Sequence, residues 1–252
     1  MNFDLPAAAA THVERAQVCA RGILTSAAPD IDRAGRIPEA VRQELRAVMS
    51  ADACRDGVTF AAVVEELAVV SAAAALTAAA GALDAVGAAG DGPRWPGLRG
   101  ADVDGLRARL GGNARWDIAV TAAFVGLARA AVEHATTALR AASATGTPNA
   151  AAEAPLADAA TVRDAARLLL WDAARVGHAG ETASAASRGM ARLQALDAVA
   201  LGLAAAERAT DAEASRPGAV LERISRDAAT ATRVLGDAAA AQAAVAGAAL
   251  PG

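Results

Sequence analysis

Long apolar, Ala-rich stretches separated by short clusters of Pro, Gly and Asp set the pattern of this chain. Pro6 suits the first position of a helix running to about Ser26, where a missing N–H costs nothing. Pro29 with Asp30-Ile31-Asp32 predicts a break. Pro38 opens a second helix, Glu39 to about Met49. Asp52 to Gly57 reads as a loop, and Thr59 as the cap of a third helix. That helix carries Glu65-Glu66 and then 17 uncharged residues, Leu67 to Leu83. The run is mostly Ala with Ser and Thr, and it is slightly short for a bilayer, so a buried helix is expected rather than a membrane span.

The pattern changes between Gly87 and Gly112, a window holding eight Gly and two Pro. It predicts a boundary: a helical region over 1–86, a linker over 87–113 and a second helical region over 114–252. In the second region Arg115 to about Ser143 reads as a long helix, and Ala144 to Pro155 as a loop. Leu156 to about Val176 follows, stopped by Gly177-His178-Ala179-Gly180. Then come Glu181 to about Thr210, a turn over Asp211 to Gly218, and Ala219 to Leu235, before a low-complexity Ala tail. Long helices joined by short loops predict an antiparallel four-helix bundle.

Composition sharpens this into an all-α expectation. Ala makes up close to a third of the 252 residues, and it has the best intrinsic helix propensity. Aromatic residues are 2%, Tyr is absent, and strand-like β-branched runs are few. All 24 basic residues are Arg, which removes lysine-dependent chemistry such as Schiff bases. The net charge of −4 is mild and scattered, with no basic block for a nucleic acid. Cys19 and Cys54 form no metal or redox spacing and read as reduced thiols of a cytoplasmic protein. The N-terminal stretch carries Asp4 and no basic region of a secretory signal.

Candidate chemistry is sparse. His12, His134 and His178 lie far apart and read as structural or surface residues; no metal site is expected. Glu65 and Glu66 point about 100° apart on a helix, so they form no catalytic pair, and a buried Glu opposite an Arg is expected. Trp95, Trp116 and Trp171 read as scattered core or interface residues.

Three groups of motifs nevertheless resemble acyl-CoA dehydrogenases. The first is Phe3-Asp4-Leu5, then Ile31-Asp32-Arg33 to Arg36-Ile37-Pro38, then Val64-Glu65-Glu66-Leu67-Ala68. The second is Gly97-Leu98-Arg99-Gly100-Ala101-Asp102 before the long helix from Arg115, similar to the family's junction near the end of its β-domain. The third is Leu156 to Trp171, followed by Arg223-Ile224-Ser225-Arg226-Asp227-Ala228. The resemblance implies a C-terminal bundle of acyl-CoA dehydrogenase type, with the Gly-rich window as a vestigial β-linker.

The departures from that family bear on function. Its flavin-binding β-domain is far longer than the Gly87–Gly112 window. Ser143-Ala144-Thr145-Gly146 stands where the family carries an Arg and a Phe-Gly pair, and Asp211-Ala212-Glu213-Ala214-Ser215 replaces a Gly-rich segment. Aligned from Arg226-Asp227-Ala228, the catalytic Glu falls on Leu235, with Gly236 kept and a Thr replaced by Asp237. Dehydrogenation across Cα–Cβ needs a carboxylate to take the α-proton while a flavin accepts hydride, and Leu cannot act as that base. The family's alternative Glu position falls near Trp116, which leaves the adjacent Asp117 as the one candidate base. A dipole-favoured carboxylate at a helix start is its competing role.

The resemblance therefore implies a homologue with a degenerate flavin site and no FAD on the isolated chain. It implies a helical partner or structural subunit, associating with itself or with a full-length acyl-CoA dehydrogenase. The alternative is a flavin-dependent oxidoreductase, with FAD, completed by a second chain.

Overall fold

A computed structural model describes residue 5 and residues 7–83, 97–147, 149–176, 181–210 and 219–250. The described residues form helices and turns, with no strand among them. In chain order the helices are α1 (Ala7–Cys19), α2 (Thr25–Ala34), α3 (Glu39–Val48), α4 (Gly57–Ala68), α5 (Ala72–Ala82) and α6 (Val103–Leu110). They continue as α7 (Ala114–Ala144), α8 (Ala150–Val176), α9 (Glu181–Ala209), α10 (Val220–Leu235) and α11 (Ala238–Ala249). One π-helical turn, Ala20–Leu24, joins α1 to α2.

The caps explain most boundaries. Asp56, not Thr59, starts α4: its carboxylate accepts from the Thr59 backbone N–H at 2.8 Å and from the Thr59 hydroxyl at 2.7 Å. Ser71 accepts from the Ala74 N–H and starts α5, so the uncharged Leu67–Leu83 run is split into two helix segments. Asn113 accepts from the N–H groups of Arg115 and Trp116 at the head of α7. Asp237 accepts from Ala240 N–H and converts the Ala tail into α11, which packs along α9.

Two prolines predicted to lie outside helices sit inside them. Pro29 lies within α2 and Pro155 within α8. Each lacks one backbone donor, yet burial of Ala28 and Ile31 in one helix and of Ala152 and Ala159 in the other keeps the turns together. The helix that begins at Ala7 stops at Gly35 instead, whose φ of 65° is left-handed.

The expected β remnant at Gly97–Asp102 is a turn. Ala101 N–H returns to Leu98 O at 3.1 Å, and Leu98 and Gly100 have φ of 55° and 97°, values no strand uses. Asp102 then accepts from Gly105 N–H and starts α6.

Helix α9 is the centre of the C-terminal half, packed against α7, α8, α10 and α11. The α8–α9 pair is antiparallel: Asn149 beside the start of α8 donates to Arg208 O at the end of α9 (2.9 Å). Helix α4 inserts against α7 and α8, so one continuous apolar core runs from Ala16 to Leu235 and joins both halves. Small residues permit the approach. A Cβ on Gly126 of α7 would lie 2.6 Å from Ala68 Cβ and 2.7 Å from Glu65 O of α4. Helices α7 and Ala185–Ala209 of α9 are long and apolar enough to cross a membrane by composition, but 83% of the apolar window of α7 is buried inside the protein.

Candidate functional site

The first turn of α7, the middle of α9 and the α10–α11 corner converge on one guanidinium. Arg192, 8% exposed, donates from Nε to Thr121 Oγ1 (2.9 Å) and from Nη1 to Leu235 O (2.6 Å) and Gly236 O (3.4 Å). Its Nη2 donates to the Asp117 backbone O (2.9 Å), and its plane lies 5.7 Å from the Phe124 ring centre. This one side chain therefore ties position 235 to position 117, two sites 118 residues apart in sequence.

A cavity of about 260 Å³ opens beside it, lined by Asp117, Arg188, Gly189, Asp237 and alanines of α9 and α11. Arg188 Nε approaches Asp117 Oδ2 at 3.5 Å, with the Asp117 side chain 40% exposed. Burial pushes the Asp117 carboxyl up, while Arg192 and Arg188 oppose the shift and Asp237 adds to it. Burial pushes Arg192 down, opposed by Asp117 and Asp237. Asp237 itself has a φ of 41°, a left-handed conformation uncommon outside Gly, Asn and Asp.

Leu235 is buried and contributes its carbonyl, not its side chain, to this arrangement. Neither Arg188 nor Arg192 stands out in the sequence by charge density. Their i, i+4 spacing in Ser187-Arg188-Gly189-Met190-Ala191-Arg192 does place both on one face of a helix, the signal that could have found them.

A second polar centre joins the second and third motif groups. Asp227 on α10 accepts from Leu98 N–H (2.6 Å), and Thr230 accepts from Gly97 N–H (3.1 Å). Arg226 places Nη2 at 2.7 Å from both carboxylate oxygens of Asp32 on α2, and Arg99 donates to Asp32 O (3.1 Å). A Cβ on Gly97 would meet Arg226 O at 2.2 Å, so only Gly fits this seam.

The buried Glu–Arg expectation holds for both glutamates. Glu65 pairs with Arg167 (3.0 Å) and lies 3.6 Å from Arg129, which holds Glu66 at 2.6 Å. These pairs join α4 to α7 and α8.

Trp116 and Trp171 are core residues, with Arg167 stacked 4.8 Å over the Trp171 ring. Burial pushes His134 down, and no group of three or more metal-ligating side chains occurs among the described residues. Phe3, Asp4, Trp95, His178 and the Asp211–Ser215 replacement lie outside the described residues.

Known proteins resolve the architecture. No protein-family model and no curated protein sequence matches the chain. Solved structures do. A chain from work on the electron transferring flavoprotein of Acidaminococcus fermentans superposes with a TM-score of 0.82 at 14% identity, over 100% of both chains. Butyryl-CoA dehydrogenase from Megasphaera elsdenii gives 0.78 at 14% identity, over 99% of this chain and 100% of that one. The protein has an acyl-CoA dehydrogenase-like fold. The nitrososynthase of Micromonospora carbonacea var. africana gives 0.72 at 17% identity, over 98% of each chain. Identities this low carry the fold and not the chemistry. Within the acyl-CoA dehydrogenase-like fold, Arg192 joins α7 and α9 to the α10–α11 corner, and the seam at Asp227 joins the Gly97–Asp102 turn to α10.

Proposed function

We propose that this chain is a non-catalytic helical subunit of acyl-CoA dehydrogenase-like fold, working in the cytoplasm by association. Its partner is a second copy or a full-length acyl-CoA dehydrogenase. The observation that carries this reading is Arg192 bound between the Leu235 and Asp117 carbonyls. At one position where the resemblance expects a base stands a buried Leu. At the other, the adjacent Asp faces Arg188 at 3.5 Å.

The corner at Arg192 is poorly suited to a flavin. The cavity of about 260 Å³ falls below the roughly 300–1,000 Å³ of ordinary ligand pockets. Opposed Asp and Arg side chains line it, and the donors of Arg192 are already committed to protein oxygens. Association is supported by Met190 and Leu201, 42% and 40% exposed and about three turns apart on one face of α9.

An absorbance spectrum and sedimentation equilibrium on the purified chain test this reading. The expected result is no stoichiometric flavin and a dimer or larger assembly, or co-purification with a dehydrogenase. Near one equivalent of FAD surviving gel filtration would overturn the first part. A partnerless monomer at micromolar concentration would overturn the second.

The second reading, a flavin-dependent oxidoreductase completed by another chain, draws on Asp117. Its half-exposed carboxyl, pushed up by burial, is a stronger proton acceptor than an ordinary aspartate. In that case Asp117→Asn in the assembled complex would abolish acyl-CoA oxidation. In the favoured reading the complex turns over equally with either residue.

A further inference from the structure

Asp227 is a buried acid without a cation of its own. It is 6% exposed, and among the described residues no Arg nitrogen forms an ion pair with it. The nearest candidate, Arg226, spends Nη2 on both oxygens of Asp32 and pairs through Nη1 with Glu222 at 3.3 Å. The hydrogen-bond partner of Asp227 is the backbone N–H of Leu98. Leu98 is fully buried in a left-handed conformation, φ 55°, that a branched residue adopts only when its surroundings impose it. The seam between α2, the Gly97–Asp102 turn and α10 thus closes over a carboxyl group that water would solvate better.

We propose that Asp227 is a proton-operated latch on this seam: protonated, it lets the Gly97–Asp102 turn close onto α10, and ionised, it loosens that contact. Opening the seam returns the carboxylate to water, so ionisation favours the open arrangement and protonation the closed one. A carbonyl oxygen of the protonated acid still accepts the Leu98 N–H, so closure loses no hydrogen bond. The charged groups acting on Asp227 are Asp32 from α2 and Arg226 and Arg223 from α10; Arg99 of the turn meets the Asp32 carbonyl. Burial comes first and Asp32 adds to it. Together they outweigh the two arginines and the Leu98 bond, and the carboxyl is pushed up to about 6.

Hydrogen exchange of the peptide containing Leu98, in the full chain, tests the latch. Rates are corrected for the intrinsic pH dependence of exchange. The corrected rate is expected to be about tenfold faster at pH 7.5 than at pH 5.0, with a midpoint near 6. Asp227→Asn keeps the acceptor without the charge and should exchange slowly at both pH values. A wild-type rate that is the same at both pH values, or an Asn variant with the full pH step, would overturn the latch. Should Asp227→Asn fail to fold, a variant with His12, His134 and His178 changed to Gln removes every imidazole from the chain. It must keep the step, and losing it would overturn the proposal.

Discussion

The main-chain oxygen of Leu235 accepts a 2.6 Å hydrogen bond from Arg192, a residue 43 positions earlier on a different helix. Side-chain identity at 235 is therefore secondary to the carbonyl it presents. The α10–α11 corner is held by a charged group with few substitutes.

Arg192→Leu should show this directly. It strands the Leu235 carbonyl and takes one donor each from the Asp117 carbonyl and the Thr121 hydroxyl, which keep only their bond to each other. A loss of about 3–5 kcal/mol in chemical denaturation is expected. Arg192→Lys should recover less than half, since one ammonium cannot span three directions. A leucine variant within about 1 kcal/mol of wild type would remove Arg192 as the organiser of this corner.

Asp227→Asn should stabilise the protein at pH 7.5. The carboxyl moves from an ordinary 3.8 to about 6 in the fold. A raised acid favours folding when protonated, so its contribution is full below about 3.8 and is lost as pH rises through 6. At pH 7.5 the ionised form costs up to roughly 3 kcal/mol that the neutral amide avoids. The advantage of the variant should shrink as pH falls from 7 to 4. Paired urea titrations at several pH values measure it, and an advantage that grows on acidification would contradict the sign.

Gly126→Ala gains helix propensity of about 1 kcal/mol and should still destabilise, by about 2 kcal/mol net. Its new methyl would meet Ala68 Cβ at 2.6 Å and Glu65 O at 2.7 Å. Gly202→Ala is the milder control, because the nearest atom is 3.1 Å away. Thermal melts of the two variants should rank in that order.

Both cysteines should resist thiol reagents until the protein unfolds. Cys19 and Cys54 are buried and unpaired, and burial pushes both thiols up, away from the reactive thiolate. Reaction with an aromatic disulfide reagent at pH 8 should be slow in buffer and fast in denaturant. Rapid labelling of the native chain would show that the helices around them open.

The long helices were legible because their ends are written locally. Asn113 caps α7, Gly146 follows its end, and α10 stops at Gly236. The buried Glu65–Glu66 pair was legible from charge inside an apolar run. Pro29 and Pro155 misled, because a proline reports the cost of one missing bond and not the burial that offsets it. The Gly97–Asp102 turn was hidden for a related reason. Its left-handed Leu98 depends on Asp227, 129 residues away, and no local pattern marks such a contact. Arg192 was hidden among many arginines, since its four oxygen partners come from two segments far from it in sequence.

Alanine-lined crossings such as Gly126 on Ala68 have a further consequence, for how this chain tolerates sequence change. A helix crossing built from the smallest side chains has little volume left to remove. Cutting a buried residue back to Ala is impossible wherever Ala already stands, so at these crossings the usual route by which core mutations do damage is closed. The opposite route is wide open: a single added methyl group at Gly57, Gly97, Gly126 or Gly189 meets backbone or side-chain atoms closer than 3 Å. At these crossings selection acts as a ceiling on side-chain size. Drift would exchange Ala, Gly and Ser freely while excluding Val and Leu, erasing sequence likeness to relatives long before the helix axes move.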